Sequence, residues 1–153
     1  VEREITMTEA SHRTALIVGA GSGLSAALAR TLAHEGIRVA LAARTVADLE
    51  PLAAAINARA IACDTTNRGQ VGALFAELDA SIGAPDIVIY NAGYRVRGAL
   101  VDLDPQDVEK SLLTCAYGGF LVAQAAVRRM LPKRHGVVLF TGASASVKGY
   151  PQS

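Results

Sequence analysis

Short apolar runs alternate along the chain with stretches in which apolar side chains return every three or four positions, and the alternation repeats five times. The first run, 15–18, reads Ala-Leu-Ile-Val and is too short for a helix. It is followed by Gly19, Gly21 and Gly23 and then by a predicted helix over 23–34 with Leu24, Ala27, Leu28, Thr31 and Leu32 on one face, stopped by Gly36. A second run, 37–43, fits a strand covered on both faces, and Arg44 stands where it ends. Thr45 or Asp48 can cap the next helix, which carries Leu49, Leu52, Ala53 and Ile56, and Pro51 favours Asp48 because proline is tolerated in a first turn. The third strand is 59–63. Asp64-Thr65-Thr66-Asn67 then leads into a helix striped by Val71, Leu74, Phe75, Leu78 and Ile82 and ended by Gly83-Ala84-Pro85. The fourth strand, 86–90, closes on Asn91-Ala92-Gly93. Asp104-Pro105 starts a long helix predicted to run to about residue 131, with Val108, Leu112, Cys115, Gly119, Val122, Ala126 and Met130 on one face. The fifth strand, 137–140, opens onto Thr141-Gly142-Ala143-Ser144.

Strands alternating with helices, joined by connections long enough for right-handed crossovers, predict a doubly wound parallel sheet of five strands: a three-layer α/β/α, Rossmann-type domain over 14–153. Residues 1–13 carry no periodicity and are expected to lie outside the fold as a disordered or upstream segment. With 153 residues, 51% of them hydrophobic, the chain is one domain's worth of core. Fifteen basic against 14 acidic residues give no reason to expect a nucleic acid or a membrane surface as partner. No apolar run reaches the ~18 residues of a membrane helix and no signal-peptide pattern opens the chain, so a cytoplasmic location is expected. Cys63 and Cys115 lack the spacing of a metal site or a redox pair and are expected to be small buried apolar residues.

In such a sheet the ligand crevice opens at the carboxyl ends of the strands. Gly19, Gly21 and Gly23, with Ser22 and Leu24, join a buried strand to a helix N-terminus. Glycine there lets a ligand approach main-chain N–H groups, and the positive end of the helix suits a phosphate. Arg44, at the end of the second strand, stands where a site for NAD would want a carboxylate, so NADP is expected over NAD. Asp64, with Thr65 beside it, is placed to accept a hydrogen bond from an adenine amino group. Asn91 supplies donors and an acceptor, while Ala92 and Gly93 keep the backbone slim. Tyr94, Arg95 and Arg97 are candidates for the mouth of the cleft.

Gly19-x-x-x-Gly23, Asp64, Asn91-Ala92-Gly93, Gly118-Gly119-Phe120 and Met130-Leu131-Pro132 together resemble the short-chain dehydrogenase/reductase family over 14–153. The resemblance implies a bound nicotinamide cofactor, hydride transfer between it and an alcohol or carbonyl substrate, and a homodimer or homotetramer formed through the helix 105–131. It also implies a serine that orients the substrate oxygen, a tyrosine that handles the proton, a lysine that lowers that tyrosine's pKa, and a helix asparagine that holds a water. Several positions depart from the pattern. The third glycine falls on Ser25, the helix asparagine on Cys115, and the serine on Ala143 if Gly149-Tyr150-Pro151 is the anchor, which leaves Ser144 as the catalytic hydroxyl candidate. Tyr150 has no lysine four residues on, and the Tyr-x-x-x-Lys pair is expected beyond Ser153. These residues are therefore expected to be an inactive part of a longer polypeptide. A non-catalytic dinucleotide-binding module is the alternative.

Overall fold

The computed structural model describes residues 13–149. Expectations for residues 1–12, and for Tyr150 and Pro151, lie outside the described residues. Five parallel strands, β1 (Thr14–Val18), β2 (Arg38–Ala43), β3 (Arg59–Ala62), β4 (Ile87–Tyr90) and β5 (Val137–Phe140), lie in the order β3-β2-β1-β4-β5. The expected doubly wound α/β architecture is present. β1 is wholly buried, as its unbroken apolar run requires, and pairs Ala15 to Val39 on one side and to Ile87 on the other. Winding reverses beside β1: β2 and β3 extend one way, β4 and β5 the other.

Helices α1 (Leu24–His34) and α2 (Glu50–Ala55) cover one face, around Ile17, Val39, Leu41, Leu49 and Ile89. Helix α3 (Arg68–Ala80) and a second long helix cover the opposite face, around Leu16, Val18, Phe75, Leu78, Val88 and Val122. Asn67 caps α3, its side-chain oxygen accepting from the Gly69 and Gln70 N–H groups.

At the base of the sheet Asp86 holds two strands together. Its Oδ2 accepts from the Arg13 N–H at 2.9 Å, the Thr14 N–H at 3.2 Å and the Thr14 hydroxyl at 3.0 Å. Burial pushes its pKa up, but these donors and the charge of Lys133 outweigh that and hold the carboxyl below its usual range. Arg13, expected outside the fold, is thus tied to it, and its carbonyl accepts from the Arg38 N–H.

Several expectations need correction. In α1 the buried positions are Ser25, Ala26 and Ala29, while Leu24, Ala27 and Thr31 are exposed. The leucine-based stripe misplaces the face because small residues pack where the helix lies closest to the sheet. Asp48 caps nothing: residues 47–49 form a 3-10 turn that runs straight into α2, so no separate helix start exists there. The long helix is not one helix. It comprises α4 (Pro105–Leu112), a π turn (Leu113–Tyr117) and α5 (Gly118–Lys133). α4 and the π turn bury no residue on any face, so Leu112 and Cys115 on the extrapolated stripe are exposed, whereas Gly119, Val122, Ala126 and Met130 in α5 are buried. Of the two cysteines only Cys63 is buried as expected.

Candidate active site

Both strands that flank the reversal end in polar turns, and their approach is controlled by one glycine. Gly19 has φ +78°, and a Cβ added there would lie 2.2 Å from the Ala92 nitrogen. The turns after β1 and β4 can touch only because that Cβ is missing. Ser25, standing where the third glycine was sought, ties the same turns together. Its hydroxyl donates to the Gly19 carbonyl at 3.2 Å and accepts from Asn91 Nδ2 at 2.9 Å. Gly21 and Gly23 are different, for a Cβ at either would meet nothing within 4 Å. Beyond them α1 begins with no side-chain cap and no acidic residue in its first turn, so its N–H groups and positive dipole end face outward unopposed.

An open cleft of about 480 Å³ lies over these tips. Of the predicted residues it brings together Gly19, Arg44, Asp64, Thr65, Asn91, Ala92 and Gly93, with Tyr94 at the end of the same wall. Gly21, Ser22, Gly23 and Leu24 do not line it; they form the exposed turn that continues from Gly19 and Ala20. Arg95 and Arg97 lie outside the lining. So does Ser144: it is exposed in the 3-10 turn Ser144–Ser146 after β5, the edge strand farthest from β2 and β3 in this half of the sheet. Of the five strand tips, those of β1, β2, β3 and β4 converge on the cleft.

The side chains in the cleft are largely held in place. Asp64 Oδ1 accepts from the Thr66 N–H at 2.9 Å and the Thr66 hydroxyl at 2.8 Å. The Thr66 N–H and hydroxyl, then the nearby Arg44 charge, hold this carboxyl below its usual range. Asp64 Oδ2 accepts no hydrogen bond among the described residues. Behind it, burial and the Asp64 charge push the Cys63 thiol up to about 11, so it stays protonated. The Thr65 hydroxyl is committed to Tyr90 Oη at 3.1 Å, and the Tyr90 phenol donates to the Thr114 carbonyl inside the π turn. Desolvation raises the Tyr90 pKa. The backbone of Gly118 passes so close to this pair that an added Cβ would lie 2.6 Å from Tyr90 Oη.

The far wall was not foreseen: Gln106, Glu109, Lys110, Leu113 and Thr114 line it from α4 and the π turn. Periodicity marks the polar ones only as a solvated helix face. The one signal available was the Asp104-Pro105 helix start, which follows the Asn91-Ala92-Gly93 turn closely enough to put α4 beside that strand tip.

A five-stranded parallel sheet in the order 3-2-1-4-5, with a glycine turn and a polar cleft at the reversal, defines a Rossmann-type α/β protein. Comparison with known proteins narrows this. Residues 13–153 match the short chain dehydrogenase family, and the chain belongs to that family of nicotinamide-dependent oxidoreductases. It is similar to nodulation protein G of Rhizobium sp. (strain N33), at 31% identity over 147 residues, covering 95% of this chain and 60% of that protein. It is likewise similar to D-threitol dehydrogenase of Mycolicibacterium smegmatis, at 30% identity over 145 residues, covering 92% of this chain and 56% of that protein. A crystal structure of a short-chain type dehydrogenase/reductase from Mycobacterium marinum superposes with a TM-score of 0.85 at 32% identity, covering 94% of this chain and 61% of that one. Serine dehydrogenase from Escherichia coli shares the fold, with a TM-score of 0.85 at 23% identity, covering 91% of this chain and 66% of that one. The chain spans about 60% of the length of the curated relatives it matches.

Proposed function

We propose that these residues form the cofactor-binding part of an NADP-dependent short-chain dehydrogenase/reductase that interconverts an alcohol and a carbonyl on a small molecule. The observation that carries the proposal is Arg44: the tip of β2 presents a guanidinium to the cleft where a carboxylate would repel a 2′-phosphate. The residues suit the rest of a dinucleotide. The open space over Gly21 and Gly23 and the uncapped start of α1 suit a pyrophosphate held by main-chain N–H groups of Ser22, Gly23 and Leu24. The unbonded Oδ2 of Asp64 suits an adenine amino group, and Thr65 would contribute through its main chain because its hydroxyl is engaged. Asn91 is oriented by Ser25, which leaves its side-chain oxygen for a ribose, and Ala92 and Gly93 let the ribose pass. The nicotinamide, when bound, supplies hydride chemistry at C4. Ser144 would orient the substrate oxygen, from a turn outside the cleft lining.

Assembly as a homodimer or homotetramer is supported by the outward side of the long helical segment, where Tyr117, Phe120, Val127 and Leu131 are exposed. A cytoplasmic location is part of the same proposal. Among the described residues no helix is long and apolar enough to cross a membrane.

Cys115 and Ala143, in place of two polar residues of the family pattern, favour a second reading: a dinucleotide-binding module that does not catalyse. Turnover separates the two. The 153-residue chain and the polypeptide encoded by its whole reading frame are each given NADPH and a panel of aldehydes and ketones, and cofactor absorbance is followed. Oxidation of NADPH by the whole-frame polypeptide, with none by the 153 residues, is expected. Tight NADPH binding with no oxidation by either would favour the module.

A further inference from the structure

One half-buried residue of the cleft is fastened far more heavily than its place in a loop demands. Tyr94 follows directly on Asn91-Ala92-Gly93, and both its side chain and its main chain are gripped by α4 and the π turn. Its phenol donates to Asp107 Oδ1 at 2.7 Å, a bond that raises the phenol's pKa and keeps the proton in place. The ammonium of Lys110 lies over its ring, 4.3 Å from the centroid. Its carbonyl accepts from the Ser111 hydroxyl at 2.8 Å and from the Cys115 thiol at 3.7 Å, and its N–H donates to the same sulfur at 3.5 Å. Tyr94, Lys110 and the neighbouring Gly93 all line the cleft, whereas Asp107 and Ser111 stand behind that wall.

We infer that Tyr94 is a positioning residue for the cofactor, clasped by Asp107 and Lys110 so that the Asn91-Ala92-Gly93 wall keeps a fixed distance from the glycine turn opposite. This rests on the assignment of the cleft to a nicotinamide cofactor. The clasp closes one end of the wall, and the Ser25 bonds to Gly19 and Asn91 close the other. Between those two ties lie Ala92, which packs against the core beside Gly19, and the exposed Gly93, which has no side chain to hold it. Loosening the Tyr94 end lets the wall sample wider positions, which weakens binding without removing any group that touches the phosphate. Both cofactors pass the same wall, so the loss falls equally on NADPH and NADH.

The test is titration of the 153-residue chain with NADPH and with NADH, read by the fluorescence of the reduced nicotinamide, beside a thermal melt of each variant. Tyr94→Phe and Asp107→Ala each break the phenol bond. Each is expected to raise both dissociation constants about three- to tenfold, as loss of one hydrogen bond would, with the NADPH to NADH ratio and the melting temperature unchanged. Asp107→Asn retains an oxygen that can accept from the phenol and is expected to restore most of the affinity. The double variant Tyr94→Phe/Asp107→Ala is expected to lose no more than either single one. Wild-type affinity in both Tyr94→Phe and Asp107→Ala, or losses that merely track a fall in melting temperature, would overturn the role of Tyr94 and leave the cofactor assignment standing. Failure of the unsubstituted chain to bind either cofactor would overturn the cofactor assignment, and the clasp with it.

Discussion

At Gly19 an added Cβ would sit 2.2 Å from the Ala92 nitrogen, whereas at Gly21 it would meet nothing within 4 Å. The two glycines of one turn therefore answer to different demands, the first to strand packing and the second, with open space beside it, to the proposed pyrophosphate site. Gly19→Ala is expected to destabilise the chain by more than about 3 kcal/mol, through backbone overlap and a positive φ. Gly21→Ala is expected to melt at the wild-type temperature and to lose NADPH affinity. A Gly21→Ala chain that binds as wild type would show that no ligand approaches there. The glycine pattern was legible in the sequence, but this division was not, because it depends on what the turn after β4 places opposite. Ser25 illustrates the same limit. A serine in a glycine position reads as a defect until its hydroxyl is seen between Gly19 and Asn91. Arg44 carries the proposed cofactor preference. Arg44→Ala is expected to weaken NADPH by about 1.5–3 kcal/mol, the range of a charge-assisted contact, and NADH much less. Equal losses in paired titrations would remove Arg44 from the phosphate role.

The strands are legible almost to the residue as short apolar runs between turns: β1, β2 and β4 because they are largely buried, whereas the edge strands β3 and β5 carry such runs although they are largely exposed. Helix faces were read less well. In α3 the stripe of Val71, Leu74, Phe75 and Leu78 is the buried face. In α1 the sheet selects alanines and a serine, and along 105–133 only α5 has a buried face, α4 and the π turn burying nothing. A π turn has no residue signature of its own; here it coincides with Tyr90 reaching the Thr114 carbonyl beside Gly118. Gly118→Ala would press on Tyr90 Oη and Thr65 Oγ1 and is expected to cost about 1–3 kcal/mol in denaturant melts. Asp86 fastens the starts of β1 and β4 in a comparable way. Asp86→Ala leaves the Arg13 and Thr14 donors without their acceptor and is expected to cost about 1–3 kcal/mol at neutral pH. The folded carboxyl titrates below its unfolded value of about 3.9, so its stabilisation is fully present above that pH and is lost as pH falls through the folded pKa. The gap in melting temperature between the wild type and Asp86→Ala is therefore expected to be constant near neutrality and to close on acidification below about pH 4. A gap independent of pH would assign Asp86 no charged role.

In the whole molecule, sheet order decides which predicted residues meet. Each strand tip could be read from the sequence as polar or glycine-bearing, but not its distance from the others. The order β3-β2-β1-β4-β5 gathers Asp64, Arg44, Gly19 and Asn91 over consecutive strands and leaves Ser144 on the edge strand, outside the cleft lining. The cleft's second wall, from α4 and the π turn, arises only when the chain beyond Gly93 folds back alongside, so no local pattern announces it. The proposed NADP site therefore stands on the better-built part of the molecule, and the catalytic role of Ser144 on its periphery. A crystal structure of the chain grown with NADP⁺ tests the account most directly. The predicted result is a pyrophosphate against the main chain of residues 20–24, the adenine beside Asp64 and the 2′-phosphate on the Arg44 guanidinium. A dinucleotide bound elsewhere, or one whose 2′-phosphate points away from Arg44 into solvent, would contradict it.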